Sequence, residues 1–384
     1  MIVIYRTVYR LPSEVFIREQ AVALPAGSAM VWCREETKLA NIDRQSLPCT
    51  AVAARGRLGK LMFTFLGLGD FGGQVPKLIH AHFGPDAAVI LPAARRMHVP
   101  LIATFHGFDI QRSALALLKE FRPTNWVYLL RRRRLFREAS KIIAVSEFIR
   151  GRLIQRGCPP EKILVHYTGV DVGRACPAQQ PRETALLVHV GRHVSWKGID
   201  TLLEALAIIR RHVPEARLKQ VGAGPDTARL KEQAAALGLS DAVEWVGATD
   251  HESVLSLMRR ASVYVHPSRE DDAGQTEAFG MAVLEAQACG VPVVASRTGG
   301  IPEAMEDNET GFLFREGCSQ DLAEKALALL RDRAQNEQFG TAARAFAVRR
   351  FDIRKQSEEL QRIYDQAIRP SAQSRQQESE RCAP

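Results

Sequence analysis

Two carboxylates, Glu277 and Glu285, stand with seven residues between them in the stretch TEAFGMAVLEAQACGVPVVASRTGGIPE, which begins at Thr276. A helix that starts at Gly280 and runs through Cys289 would begin beside Glu277 and carry Glu285 inside it. At about 1.5 Å of rise per residue the two acids are then at most ~12 Å apart. That is the span from a hexose hydroxyl, across a diphosphate, to a ribose, so the spacing suits a nucleotide-sugar. By themselves the two acids allow general acid–base chemistry or the gripping of a polar ligand. Plainer roles stand beside these. Glu277 could be a helix N-terminal carboxylate favoured by the dipole, and Glu285 a half-buried acid answered by a structural arginine.

Cations of matching chemistry lie upstream. In VGRHVSWKGID, Arg192 directly follows an apolar run and Lys197 directly precedes a helical pattern. Two cations converging on a helix N-terminus make an anion site, because unpaired amides and the helix dipole add to their charge. Arginine offers a planar fork and lysine a point charge, which suits a diphosphate leaving group; taken singly, either could be an ordinary surface cation. His106 closes the strand-like LIATFHG, where a core histidine is the plain alternative. Glu270, Asp271 and Asp272 read as a solvated acidic loop, since no His or further carboxylate stands at ligand spacing, and no metal is expected.

These side chains need a frame that holds them at one edge. Apolar runs alternate with helical patterns: IVIY, a helix from about Ser13 in SEVFIREQAVAL, AMVWC, a helix over 50–68, then LIHAH, a helix with Pro85 at its start, LIATF, KIIAV, a Ser146-capped helix and KILVHYTGVD. Pro177 to Glu183 is polar and helix-breaking and reads as a linker. The alternation restarts with ALLVHVGR, ARLKQVGAG, AVEWVG, SVYVHPS and VPVVAS, each followed or preceded by a helical pattern. Such alternation gives parallel sheets covered on both faces, so two doubly wound α/β halves are predicted. Ligands of these sheets bind beyond the C-terminal strand edges, where His106, Arg192, Gly222, Gly224, Gly247, Ser268 and Gly299 stand. FDIRKQSEELQRIYDQAI reads as an amphipathic last helix, and the polar tail from about Pro370 reads as disordered.

At 384 residues, 46% hydrophobic and 25% charged, the chain fits two globular domains. It has no run of about 18 apolar residues that would span a bilayer, and MIVIYRTVYR reads as a first strand rather than a signal peptide. Seven scattered cysteines without a C-x-x-C pair argue for a reducing cytoplasm and against a disulfide frame or zinc site. The net charge of +9 calls for an anionic partner. Part of it is local: Arg131 to Arg134 and Arg137 follow Trp126, Leu129 and Leu130 and surround Phe136, which reads either as a solvated basic face or as a membrane-surface helix. Nucleic acid is not expected, since no reader motif accompanies the charge.

GRHVSWKGID, the VGAGP turn, HPSREDDAGQTEAFGMAVLEAQACGVPVVASRTGGIPE and the VSEF and YTGVD segments together resemble the retaining glycosyltransferases of family four, over nearly the whole chain. The resemblance implies a GT-B fold, two Rossmann-like domains facing across a cleft: an acceptor domain over 1–176, a nucleotide-sugar domain over 184–350, a last helix over 351–369 crossing back, and a tail over 370–384. It implies that Glu285 holds the ribose hydroxyls, that Glu277 faces the donor sugar, and that Phe279, Gly280 and Met281 offer amides to sugar and phosphate. Arg192 and Lys197 match the pair that neutralises the diphosphate, and His106 a histidine near the sugar's far hydroxyls. Gly222, Gly224, Val246 and Gly247 fall where the nucleotide approaches the backbone. The expected reaction is retaining, metal-independent transfer from a UDP- or GDP-sugar, with no other cofactor, to a hydroxyl of a lipid-linked or polysaccharide-repeat acceptor. The expected place is the cytoplasm, with peripheral contact at the inner face of an anionic membrane.

The chain departs from that pattern in three places. Ala278 stands for a usual Gly, Thr168 for a usual Asn, and YRLPSEVFIREQ for a Gly-Gly loop after the first strand. SEVFI is similar to the SETFI-type start of exopolysaccharide and lipopolysaccharide glycosyltransferases, which puts Ser13 and Glu14 near the acceptor. A sugar-nucleotide 2-epimerase of the same fold and a catalytically inactive sugar-binding protein are the rival functions.

Overall fold

A computed structural model describes residues 1–9, 15–36, 47–53, 56–73 and 75–368. Ser13, Glu14 and the tail over 370–384 lie outside the described residues. In chain order the first elements are β1 (Ile2–Tyr9), α1 (Val15–Val22), β2 (Ala29–Glu36), β3 (Cys49–Ala51), α2 (Arg57–Leu66), β4 (Leu78–His82), α3 (Gly84–Arg96) and β5 (Leu101–Phe105). Next come α4 (Phe108–Gln111), α5 (Ala114–Lys119), α6 (Pro123–Glu138), β6 (Lys141–Ala144), α7 (Glu147–Gln155) and β7 (Ile163–Val165). Then follow β8 (Leu186–Val190), α8 (Ile199–Arg210), β9 (Arg217–Val221), α9 (Thr227–Ala236), β10 (Val243–Gly247), α10 (His251–Arg260), β11 (Val263–His266) and α11 (Met281–Ala288). The chain closes with β12 (Val293–Ser296), β13 (Gly311–Phe314), α12 (Ser319–Arg331), α13 (Arg333–Phe351) and α14 (Ile353–Ile368).

The chain divides into two units, Met1–Gly169 with Ile353–Pro384, and Val170–Asp352. The first holds a seven-stranded parallel sheet in the order β3-β2-β1-β4-β5-β6-β7. Every side chain of β4 and β5 is buried, as expected of strands covered on both faces. The last helix belongs here: Leu360, Ile363 and Tyr364 of α14 join the core cluster of Ile2, Ile4 and Leu78. One sequence expectation needs correcting. The helix predicted over 50–68 begins only at Arg57, because Cys49–Ala51 is drawn into the sheet as β3, paired in parallel with β2. That pairing also brings together two cysteines distant in sequence, Cys33 and Cys49, with Sγ atoms 3.2 Å apart.

The second unit holds a six-stranded parallel sheet in the order β10-β9-β8-β11-β12-β13. Its core gathers Leu187, Leu202, Leu206, Leu218, Val263 and Val294 from the strands and α8. The polar 177–183 segment is fastened to this unit, with the Arg182 guanidinium donating to the Gly290 carbonyl and to Asn336 Oδ1. In each sheet the winding reverses once, between β1 and β4 and between β8 and β11. Those reversals open crevices at the C-terminal strand edges, and the chemistry-bearing residues collect there.

Candidate active site

At the β8/β11 reversal, three side chains converge on one oxygen. Glu277 Oε2 accepts from Lys197 Nζ at 2.5 Å and from Ser268 Oγ at 3.2 Å, and lies 3.0 Å from His266 Nε2. Lys197 ends a single 3-10 turn over Ser195–Lys197 that leads into α8, and its ammonium lies 4.3 Å from the Trp196 ring centre. His266 is the last residue of β11 and is fully buried, and Ser268 follows two residues on. Burial alone would push the Glu277 carboxyl up, but the Lys197 charge and then the His266 contact outweigh it and hold it well below the usual carboxylate range. The His266 pKa is lowered too, but here by burial, against the pull of Glu277, so at neutral pH it is an uncharged ring.

The loop that carries Glu277 is shaped by glycines. Gly300 N–H donates to the Glu277 carbonyl at 3.0 Å. A Cβ on Gly299 would sit 2.1 Å from that same carbonyl oxygen, and one on Gly300 would sit 2.1 Å from the carbonyl of Ala278. The Gly-Gly turn therefore presses backbone on backbone and fixes where Glu277 emerges. Gly280 then caps α11 in a left-handed conformation, φ 105°. Phe279 is buried with its ring 5.5 Å from that of Phe351, an anchor that holds the same loop from below.

The other predicted donor residues are placed as follows. Glu285 lies within α11, partly buried, with Oε1 2.8 Å from His251 Nε2 at the start of α10. The answering group is thus a histidine, where the plain sequence reading allowed a structural arginine. Arg192 is exposed and makes no side-chain hydrogen bond or ion pair among the described residues, while Lys197 pairs with Glu277. Gly222 and Gly224 make room for the protein's own backbone: a Cβ would meet the Gly191 carbonyl at 2.0 Å and the His193 carbonyl at 2.4 Å. Gly247 accepts from Gly222 N–H at 2.8 Å, and Val246 sits in a register shift between Trp245 and Gly247. Met281 opens α11. Asp271 of the acidic loop folds its own turn, its Oδ1 accepting from Ala273 N–H and Gln275 N–H at 2.9 Å each.

The first unit carries a second polar cluster at its own reversal. His106 Nε2 lies 2.9 Å from His82 Nδ1, with the rings stacked at 5.2 Å. Arg6, within β1, donates to the His82 carbonyl and pairs with buried Asp86 in α3, and Asp86 also accepts from Thr7 N–H at 2.7 Å. Burial, then nearby positive groups, keep both histidines well below the usual range and so neutral. Asp109 ties the turn after His106 to the start of α3 by accepting from Gly107 and Gly84 amides at 2.9 Å each; burial raises it to about 6. His82, Arg6, His266 and His251 were not singled out by sequence reasoning. His266 had a usable signal, a polar residue that closes an apolar strand and opens the HPS turn.

Against known proteins, residues 177–346 match the family model described as glycosyl transferases group 1, and residues 47–174 the one described as Glycosyltransferase Family 4. The chain is 32% identical over 281 residues to the "GDP-mannose-dependent alpha-(1-6)-phosphatidylinositol monomannoside mannosyltransferase" of Mycolicibacterium smegmatis, covering 69% of this chain and 71% of that one. The chain belongs to glycosyltransferase family 4. Within the family it is also 32% identical over 253 residues to the "Putative colanic acid biosynthesis glycosyltransferase WcaL" of Escherichia coli K12. That match takes in 65% of this chain and spans 60% of the relative's length. Among solved structures, Anabaena Alr3699/HepE in complex with UDP and glucose superposes with a TM-score of 0.77 at 24% identity, covering 95% of this chain and 99% of that one. The fold is thus the GT-B fold expected of family 4.

Proposed function

We propose that this family 4 member is a retaining, metal-independent glycosyltransferase. It moves a sugar from a UDP- or GDP-sugar to a hydroxyl of a lipid-linked or polysaccharide-repeat acceptor, in building a cell-surface polysaccharide. The observation that carries the reading is the Lys197–Glu277–His266 cluster at the sheet reversal. A partly buried carboxylate there holds a lysine beside the start of α8, so the site keeps a cation ready where a helix N-terminus already favours anions. The relatives' names, one for colanic acid biosynthesis and one for a phosphatidylinositol monomannoside mannosyltransferase, support a polysaccharide or lipid-linked acceptor.

Departure of the diphosphate generates charge, and fixed cations and amides aimed at that charge carry the rate. In this reading Lys197, Arg192 and the amides at Gly280 and Met281 receive the diphosphate, Glu285 grips the ribose in place of His251, and Glu277 holds the sugar. The leaving phosphate takes the acceptor's proton in a front-face attack, so Glu277 binds and does not move protons. The enzyme works at the inner face of the membrane, held peripherally. Among the described residues no helix is long and apolar enough to cross a membrane.

The test is a panel of UDP- and GDP-sugars incubated with the full chain, with and without lipid-linked or oligosaccharide acceptors, in buffer containing EDTA. Acceptor-dependent release of nucleoside diphosphate, with retained anomeric configuration by NMR, is the expected result. Epimerised donor without acceptor, or tight donor binding without turnover, would overturn it.

A further inference from the structure

Helix α2 presents an apolar face outward. Leu58, Leu61, Met62, Phe65 and Leu66 recur at the spacing of one helical side, and all are exposed, Leu58 to 72% and Leu66 to 52%. The opposite side seats the helix: Phe63 and Thr64 are fully buried, and Thr64 Oγ1 accepts from the Arg34 guanidinium at 3.0 Å. The helix is therefore fixed to the first unit with its hydrophobic side facing solvent, at a cost that a soluble protein usually avoids.

The charges around this face select its occupant. No acidic residue occurs from Gly56 to Gly69, while Arg57 and Lys60 lie within the helix. At its C-terminal end two arginines from neighbouring helices close in: Arg96 of α3 donates to the Leu66 and Gly67 carbonyls, and Arg131 of α6 to the Phe65 carbonyl. Arg131 also donates to Ala88 in α3 at 3.1 Å, so the basic run at 131–137 is not one solvated stripe. Its first arginine splices α6 to α2, and the exposed side of α6 beyond it carries Trp126, Leu130, Arg133 and Arg137 at helical spacing. Phe136, expected on that apolar side, is buried instead.

We infer that the outward face of α2, with the adjoining face of α6, docks on an anionic phospholipid bilayer. Apolar side chains enter the headgroup boundary while the flanking cations meet lipid phosphates, the composition of a helix that lies in a membrane interface. A protein partner or a second copy would have to bring acidic groups to this ring of cations, which the chain's own +9 charge disfavours for a second copy. The inference deepens the proposed work at the membrane face, but its readout needs neither donor nor acceptor, so it can fail while the transfer reaction stands.

The experiment is flotation of the full chain with vesicles of phosphatidylcholine containing phosphatidylglycerol, against vesicles of phosphatidylcholine alone. Binding to the mixed vesicles that weakens with added salt is expected. The double variant Leu61→Glu/Phe65→Glu should bind roughly tenfold or more weakly, and Arg57→Glu/Lys60→Glu should lose the preference for anionic vesicles, each with an unchanged melting curve. If the first pair perturbs folding, Leu58→Glu/Leu66→Glu, at still more exposed positions, replaces it. Failure of the unaltered chain to float, or flotation that survives both apolar double variants, would overturn the inference. So would sedimentation showing that these variants only disperse an oligomer.

Discussion

At the scale of single residues, the site turns on a carboxylate that has been taken from water and repaid by one cation. Glu277 stays ionised because Lys197 sits 2.5 Å away. Its pKa is depressed in the folded state, so the stability it contributes is fully present above the ordinary carboxylate value and is lost as pH falls toward the folded one. Lys197→Ala removes the largest favourable cause. In that variant the loss should begin at higher pH, so thermal melts from pH 7 to pH 4 should fall earlier than in the unaltered protein. Turnover should drop by about 100-fold if Lys197 also receives the diphosphate, and a variant with both melts and turnover unchanged would remove it from the site. Glu277, Glu285 and Lys197 were legible from residue type and spacing alone. Their partners were not, because His266 and His251 come from other strands and helices, and only the sheet order brings them near.

At the scale of elements, glycine positions carry the information that side chains lack. The alternation of strands and helices could be read from apolar periodicity, and the placement of Gly280 as the start of α11 followed from it. What periodicity could not give is why the Gly-Gly turn at Gly299 and Gly300 is there. Its backbone lies against the backbone of residues 277–279, a contact between residues 22 positions apart in the chain, Gly299 with Glu277 and Gly300 with Ala278. β3 was missed for a related reason: three residues are too few for a period, and pairing with β2 decided their state. Gly299→Ala should therefore act at a distance. A methyl group 2.1 Å from the Glu277 carbonyl, on a backbone with φ 54°, has to move that loop. Nucleotide-sugar affinity by calorimetry should fall at least about tenfold, with a loss of stability of roughly 1–3 kcal/mol. Gly151→Ala, in α7 with open space around it, is the control: it should leave the affinity unchanged and raise stability by about 0.5–1 kcal/mol, as alanine does inside a helix.

For the whole molecule, the order of the chain makes the two units unequal. The second is one continuous segment, whereas the first is completed only by α14, which returns after Asp352. The residues at the two crossings fit that return. Val170 N–H donates to the Phe351 carbonyl at 2.8 Å, and a Cβ on Gly169 would strike the Ile353 backbone at 2.5 Å. Within the first unit α14 gives more than apolar cover. Tyr364 OH lies 2.7 Å from His80 Nδ1, while His80 Nε2 lies 2.6 Å from Thr104 Oγ1, so a buried imidazole has both nitrogens answered only when the last helix is present. Burial, then the neighbouring His166, depress His80 to about 3. A folded value below the unfolded one means that its contribution is full above about pH 6.5 and is lost on acidification at about 1.4 kcal/mol per pH unit. Tyr364→Phe should cost about 1–3 kcal/mol through the orphaned nitrogen. Ending the chain after Asp352 should go further, because Leu360, Ile363 and Tyr364 leave the core together, each worth about 1.5–3 kcal/mol of burial. Calorimetry of that truncated chain should show the first unit's transition gone and a second, cooperative transition from Val170–Asp352 retained. Loss of both transitions, or survival of both, would show that the division into one continuous and one interrupted unit does not govern how the molecule folds.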